Sequence, residues 1–133
     1  MPAITNSLLN ATPATLLPAA SRSASANGTG VDVSLYEGHA IVLVELTNVS
    51  GTTPTADFKL QECDTSGGTY TDLGAAGSLH AAVAATQVGA ASSLQKLAVE
   101  IQATKKYVRA VLTLGGTSPV YTCSAYIVGQ KKY

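Results

Sequence analysis

Few residues of this chain have the types and spacing that catalysis or metal binding needs. The two histidines, His39 and His80, and the two cysteines, Cys63 and Cys123, are enough for one zinc ion, but their spacing matches no pattern of zinc ligands. Neither histidine has a carboxylate or a cysteine at an informative spacing, and no serine lies in a G-x-S-x-G turn. We therefore expect no catalytic residue, metal site or cofactor, and the chain is predicted not to be an enzyme.

The two cysteines each lie in a predicted strand or at its end. A disulfide between Cys63 and Cys123 and a pair of buried free thiols are both compatible with these positions. Two cysteines are too few for a disulfide scaffold, and free cysteine commonly packs as a small apolar residue. Buried free thiols are therefore the favoured interpretation.

Lysine pairs occur at two places, and each pair precedes a tyrosine. They are Lys105-Lys106 before Tyr107 and Lys131-Lys132 before Tyr133. One interpretation is that these lysines are solvated at strand ends, where they also discourage edge pairing. The other is a basic patch that meets an acidic protein surface near the C-terminus, with Lys131, Lys132 and Tyr133 as candidate contacts.

The composition excludes several classes of partner. The 133 residues include 8 basic and 8 acidic side chains, so the net charge is zero, and only 12% of residues are charged. A neutral chain has no electrostatic footprint for nucleic acid or an anionic membrane, and it has no aromatic stripe on which bases could stack. No apolar run approaches the roughly 18 residues that predict a membrane span. The length fits one domain, whose function must come mainly from its shape and surface.

The first 30 residues differ from the rest. They carry one charged side chain, Arg22, and residues 21–30 have the composition of a flexible linker. The start lacks a cationic segment and is interrupted by prolines, so no secretory signal is expected. We predict a flexible or extended arm over residues 1–30, whose leucine pairs either pack locally or dock on a partner or sister subunit. These candidate contacts are Leu8, Leu9, Leu16 and Leu17.

From residue 31 onward the hydrophobic pattern is typical of β-strands. Apolar and polar residues alternate, and turn residues recur every 8–12 positions or so, which predicts an antiparallel β-sandwich over residues 31–133, Ig-like or jelly-roll-like. Residues 74–96 are the least clear, and we favour irregular structure or strand over helix there. The predicted strands cover residues 31–36, 40–47, 56–63, 69–73, 97–102, 107–114 and 120–128.

One short pattern occurs twice. Ser50–Pro54 and Gly115–Pro119 both contain Gly-Thr, then Thr or Ser, then Pro, between two apolar strands. Proline suits the entry to a strand because its φ is fixed and it cannot donate to a ladder. The pattern predicts two turns, either from convergent turn chemistry or as two equivalent hairpins, one in each sheet.

With strands and turns placed, the chain resembles a set of small β-rich virion proteins of tailed bacteriophages. The resemblance covers residues 31–132 and rests on the segments LYEGHAIVLVEL, SGTTPTADFKLQECDTSGGTYTDL, TKKYVRAVLTLGGTSP and YIVGQKK. Within that set, the most similar function is that of capsid decoration, or cement, proteins.

The resemblance implies a structural role at the outer surface of the virion capsid. Decoration proteins bind the major capsid protein of an assembled head, stabilise the shell and often form trimers or dimers. A homo-oligomer that binds neither nucleic acid nor membrane is expected. Two alternatives stay open: a tail, connector or baseplate component, and a carbohydrate-binding or adhesion module whose candidate aromatic platform is Tyr70, Tyr121, Tyr126 and Tyr133.

Overall fold

The computed structural model describes residues 11–132, which form an antiparallel β-sandwich as predicted. The only helix in this range is a single 3₁₀ turn, Ile101–Ala103, and none is long and apolar enough to cross a membrane. The strands are β1 (Ala11–Arg22), β2 (Ala26–Asn27), β3 (Val31–Asp32), β4 (Tyr36–Cys63), β5 (Thr71–Asp72), β6 (Ser93–Glu100) and β7 (Tyr107–Lys131).

Strands β4 and β7 form the frame of the fold. They have 28 and 25 residues and pair antiparallel from Tyr36 opposite Lys131 to Cys63 opposite Tyr107. Both bend near their middle, so one continuous sheet folds into two layers. The first layer contains β1, β6, residues 36–47 of β4 and residues 120–131 of β7, and the second contains β2, β3, β5, residues 55–63 of β4 and residues 107–114 of β7.

The two predicted turns are wrong, because both segments lie inside these long strands and pair with each other. Ser50 is opposite Val120, and Thr55 is opposite Gly115. Positive φ angles occur on both strands at this level, at Asn48, Gly51, Thr53, Gly116 and Ser118. A side chain at Gly116 would also collide with the Thr53 carbonyl oxygen. Residues typical of turns therefore bend two paired strands here, and neither strand reverses.

A register shift at the bend changes which residues of β7 face inward. Between the pair Thr47–Thr122 and the pair Ala56–Leu114, β4 advances nine residues and β7 eight. Because side chains alternate faces, a one-residue shift switches the inward set on one strand. On β4 the even-numbered residues stay inward in both layers. On β7 the inward residues are Val108, Ala110 and Leu112 in the second layer and Tyr121, Cys123, Ala125 and Ile127 in the first.

One hydrophobic core lies between the layers, and irregular segments close its two sides. On one side, Gly28 N–H donates to the Ala110 carbonyl at 2.7 Å and Thr29 N–H to the Leu16 carbonyl at 3.0 Å. A side chain at Gly28 would collide with the Leu16 carbonyl oxygen. On the other side, the Tyr121 hydroxyl donates to the Gly89 carbonyl at 2.9 Å. Backbone hydrogen bonds therefore join the layers on one side and a buried hydroxyl joins them on the other.

Two segments of the predicted arm, β1 and β2, are part of the sheet. Strand β1 pairs along β7 from Ala11 opposite Gln130 to Arg22 opposite Tyr121, and β2 interrupts the predicted linker. Residues 1–10 lie outside the described residues.

The segment between β5 and β6 is mostly irregular, which confirms the favoured interpretation for residues 74–92. It touches β4 through two isolated bridges, Val88 with Ala56 and Ala84 with Lys59. Strand β6 then pairs with the first half of β4, from Ser93 opposite Leu46 to Glu100 opposite His39. The strand predicted at residues 97–102 therefore begins earlier and ends before the 3₁₀ turn.

Candidate interaction surfaces

The two histidines line one shallow cleft with Glu100, but their contacts are structural. The cleft has a volume of about 270 Å³. His80 Nε2 accepts the Glu100 N–H at 3.0 Å, so the proton is on Nδ1, which donates to the Ala81 carbonyl at 2.8 Å. Both ring nitrogens of His80 are occupied. Among residues 11–132, no group of three or more His, Cys, Asp or Glu side chains could hold a metal ion.

Both cysteines are buried free thiols, which confirms the favoured interpretation. Cys123 lies in the first layer and Cys63 at the far end of the second. Burial raises the pKa of the Cys123 thiol, against a smaller lowering by Arg22. The protonated form is therefore favoured there, and Cys123 acts as a core residue.

Lysines from both ends of β7 line one cleft of about 310 Å³ at an end of the sandwich, which we call the lysine cleft. Lys105 and Lys106 precede β7 and Lys132 follows it, and they meet because β7 folds back at its bend. The cleft also has apolar lining from Val33, Tyr36 and Ile101. Thus both lysines of the predicted pair Lys105-Lys106, and one lysine of the pair Lys131-Lys132, contribute to one site.

Backbone hydrogen bonds and one buried carboxylate hold the walls of the lysine cleft. Val33 N–H donates to the Lys106 carbonyl at 2.9 Å, and Lys132 N–H donates to the Leu35 carbonyl at 3.0 Å. Lys105 N–H donates to Glu62 Oε1 at 2.9 Å. The backbones of the three lysines are therefore held in place by hydrogen bonds. Lys132 is nevertheless exposed to solvent.

Three lysines and one acid, Glu37, line the lysine cleft. Two further carboxylates contact these lysines, that of Asp32 at Lys106 and that of the buried Glu62 at the Lys105 backbone. Lys106 Nζ lies 4.0 Å from Asp32 and 5.6 Å from the ring centre of Tyr107, and its side chain is half exposed, so this ion pair is weak.

Glu62 is a residue that the sequence reading did not single out. It is 1% exposed, and its Oε2 has no hydrogen-bond partner among residues 11–132. The alternation of the sequence indicates that Glu62 is buried, because Glu62 continues the inward series of Phe58 and Leu60. Its contact with Lys105 fixes the loop that forms one wall of the lysine cleft.

The other candidate contacts are placed differently. Leu16 and Leu17 are 0% and 2% exposed in the core of this chain, so docking on a partner is wrong for them in this fold. A register shift between Thr15 and Leu17 lets both adjacent leucines face inward. Lys131 is exposed at the end of β7 and does not line the cleft. Leu8, Leu9 and Tyr133 lie outside the described residues.

A second surface is the outward side of the first layer, the first-layer outer face. Its register places apolar residues of three strands side by side, and Leu94, Ile41 and Tyr126 are 66%, 42% and 37% exposed. Exposed apolar side chains in one contiguous group mark interaction surfaces. The apolar members of this face are Ile41, Leu43, Leu94, Ala98, Tyr126 and Val128.

Three charged side chains lie on this face, Glu45 and Lys96 near its centre and Glu100 at the end of β6. Glu45 is opposite Leu94, and Lys96 is opposite Leu43, so these two charges are diagonal neighbours on adjacent strands. Diagonal neighbours lie roughly 7–8 Å apart. Both are exposed, and neither makes an ion pair or side-chain hydrogen bond with another residue of the range 11–132. The centre of the face therefore presents one free acid and one free base.

The outward side of the second layer, the second-layer outer face, is polar and internally bonded. Asp72 accepts hydrogen bonds from Lys59 at 3.0 Å and from Gln61 at 2.8 Å. Arg109 donates twice to Gln61 Oε1, at 2.9 and 2.7 Å, and its guanidinium lies 4.3 Å from the ring centre of Tyr70. The side chains of this face thus hydrogen-bond to one another.

The proposed aromatic platform is not assembled by the described residues. Tyr121 is 0% exposed and belongs to the core, so the prediction that it could be part of a sugar-binding surface is wrong. Tyr70 is covered on one side by Arg109, and Tyr126 lies on the other layer. Tyr70 and Tyr126 therefore do not share a face.

No protein-family model matches the chain, and no curated protein matches it in sequence. Among solved structures, VP2 of the infectious bursal disease virus subviral particle is similar to 89% of this chain, with 11% identity and a TM-score of 0.53, and the chain spans 31% of VP2. YomS, derived from the SPBc2 prophage, matches 90% of this chain and 93% of its own length with 15% identity and a TM-score of 0.49. A family 29 carbohydrate-binding module from Piromyces equi matches 90% and 92% with 12% identity and a TM-score of 0.41. At such identities the likeness shows the fold alone, a β-sandwich of a kind also found in viral capsid domains.

Proposed function

We propose that this chain is a structural virion protein of a tailed bacteriophage, and that it decorates the outer surface of the capsid. The sequence resemblance of residues 31–132 motivates this role. The observation that carries it is the lysine cleft, in which Lys105, Lys106 and Lys132 converge on one end of a rigid sandwich. In this proposal the cleft binds an acidic segment of the major capsid protein.

The physical properties of the cleft suit such a contact. The lysines select carboxylates and steer their approach. The apolar lining residues Val33, Tyr36 and Ile101 are already buried in this chain, so the contact depends mainly on charge. A single small cleft gives modest affinity, but a capsid offers many identical sites. Any contact between neighbouring decoration proteins then strengthens binding through effective concentration.

The test is a binding assay with phage heads assembled without this chain. We expect saturable binding of the purified protein in hundreds of copies per head and higher resistance of the heads to heat or osmotic shock. Neutralising the cleft in the variant Lys105→Gln/Lys106→Gln/Lys132→Gln should weaken binding at least about tenfold and flatten its dependence on salt. Lys59→Gln, which removes one charge from the second-layer outer face, is the control and should bind like the wild type.

Several outcomes would overturn the proposal. Heads whose stability does not change on saturation would contradict decoration. A plateau at roughly six or twelve copies would assign the chain to a connector or tail ring instead. Equal binding by the cleft variant and the wild type would show that the shell does not use the lysine cleft. Circular dichroism of each variant checks that the fold is unchanged.

A further inference from the structure

We propose that the first-layer outer face binds a second copy of this chain, forming a two-fold symmetric dimer with Glu45 of each copy against Lys96 of the other. The inference deepens the decoration role, on which it rests, by assigning a separate surface to self-association. The lysine cleft lies at the end of the sandwich and stays free in such a dimer.

The face exposes apolar side chains that burial would stabilise. Leu94, Ile41 and Tyr126 expose apolar surface to water, although β4 and β7 bury their alternate residues in this layer. Burial of apolar area contributes roughly 25 cal/mol per Å², so covering these side chains is favourable. The outward residues of β4, β6 and β7 form one contiguous group, which suits a sheet-on-sheet contact.

Glu45 and Lys96 at the centre of the face can pair with the same two residues of a second copy. Leu43, Glu45, Leu94 and Lys96 lie at the corners of a parallelogram on β4 and β6, with Leu43 opposite Lys96 and Glu45 opposite Leu94. Consider a two-fold axis that lies in the plane of the interface and passes over Leu43 and Leu94. It places Glu45 of each copy against Lys96 of the other, so the contact contains two such pairs. It also places each leucine against its own counterpart. Such an isologous contact pairs both free charges without any other partner.

The net charge of the chain does not oppose association. Its 8 basic and 8 acidic side chains cancel, so two copies have no net repulsion at neutral pH. A shell protein would have to supply a base and an acid that match Glu45 and Lys96 at the same spacing, whereas a second copy supplies them by symmetry.

Both edges of the first layer carry features that hinder strand addition. On β1, Pro13 and Pro18 cannot donate to a further strand. On the outer side of β6, Gln95 accepts the Thr86 N–H and donates to the Thr86 carbonyl, both at 2.8 Å. His80 Nε2 accepts the Glu100 N–H. Self-association is thus directed to the face of this layer.

The experiment is sedimentation equilibrium of the purified full chain without phage heads. We expect a dimer at about 100 μM protein, and Leu94→Asp should weaken it at least about tenfold because a carboxylate would be buried in the apolar contact. Ala84→Asp is the control, because Ala84 is exposed and lies beside Lys59 in the second layer, outside this face. It should leave the dimer unchanged.

Charge reversal tests the pairing itself. Glu45→Lys and Lys96→Glu should each weaken the homodimer, since each places like charges opposite one another. An equimolar mixture of the two variants should form a heterodimer as tight as the wild-type dimer. Rescue by mixing cannot arise from a charge interaction within one chain, so it isolates the contact between copies.

The outcomes separate this proposal from the capsid role. A wild-type chain that is monomeric at about 100 μM, a Leu94→Asp dimer as tight as wild type, or a mixture without rescue would each overturn the dimer. If the isolated chain is monomeric and Leu94→Asp abolishes binding to heads, the face belongs to the shell. The cleft variant should dimerise normally and fail only in the head-binding assay.

Discussion

The outer faces of the two layers are built from the same two strands, β4 and β7, yet their chemistry is opposite. On the second-layer outer face, Lys59, Gln61 and Arg109 hydrogen-bond along a row that ends at Asp72 and Tyr70. On the first-layer outer face, the corresponding positions are mostly apolar. The two charged side chains at its centre, Glu45 and Lys96, bond to no other side chain of the described range.

The difference bears on which face gains free energy when it is buried. A face whose polar groups are paired internally gains little by burial, because each group would lose water without gaining a new bond. A face of exposed apolar groups gains from burial, and its free charges gain partners. This contrast is the reason that the proposed dimer uses the first-layer outer face and leaves the second-layer outer face in solvent.

The largest expected effect separates leucines of the core from those of the first-layer outer face. Leu16→Ala should lower the free energy of unfolding by about 2–5 kcal/mol, because a fully buried side chain leaves a cavity. Leu94→Ala should change it by less than about 0.5 kcal/mol, because Leu94 is 66% exposed. Urea unfolding measures both, at a concentration at which the wild-type chain is monomeric. A comparable loss for the two variants would show that Leu94 already belongs to the monomer's core.

A smaller effect should distinguish the cations of the two outer faces. Arg109→Ala removes two hydrogen bonds to Gln61 and the stacking on Tyr70, and should cost about 1–2 kcal/mol of unfolding free energy. Lys96→Ala should cost nothing measurable in the monomer, because its ammonium contacts no other side chain of the described range. The same urea assay applies. Equal costs would mean that the two faces do not differ in internal bonding.

The sequence predicted the β-sandwich and most of its strands because alternation is a local signal. The inward series from Ala40 to Leu46 and from Ala56 to Leu60 is visible in the printed residues, and so is the series of β6. These series also place Ile41, Leu43 and Glu45 on an outward face. What alternation cannot show is which outward face is left uncovered, because that depends on strands distant in sequence.

The failures come from bends and bulges, which are decided by contacts between distant segments. A Gly-Thr-Thr-Pro segment has the same composition whether one strand reverses there or two paired strands bend together, and the partner of Ser50 lies at Val120. Leu16 and Leu17 would face opposite sides of a regular strand, and only the bulge in β1 turns both inward. The lysine cleft has the same origin, since Lys106 and Lys132 meet only because β7 folds back.

The smallest expected effect is a dependence on pH that arises from Asp72 on the second-layer outer face. The hydrogen bond from Gln61, and then that from Lys59, hold the pKa of Asp72 below its ordinary value of 3.8, against a smaller opposing effect of burial. Since its folded-state pKa lies below the unfolded value, the carboxylate stabilises the fold above about pH 4, and this contribution is lost as the pH falls through the folded-state pKa.

Asp72→Asn should therefore lower the free energy of unfolding at pH 6, and its difference from wild type should shrink as the pH is lowered to about 3. The size should stay below about 1 kcal/mol, because Asp72 and Lys59 are 45% and 43% exposed and solvent screens the pair. Glu45→Gln on the first-layer outer face is the matched control and should leave the monomer unchanged at pH 6. If Glu45→Gln destabilises the monomer as much as Asp72→Asn does, the Glu45 carboxylate already has a partner within its own chain and is not available to a second copy.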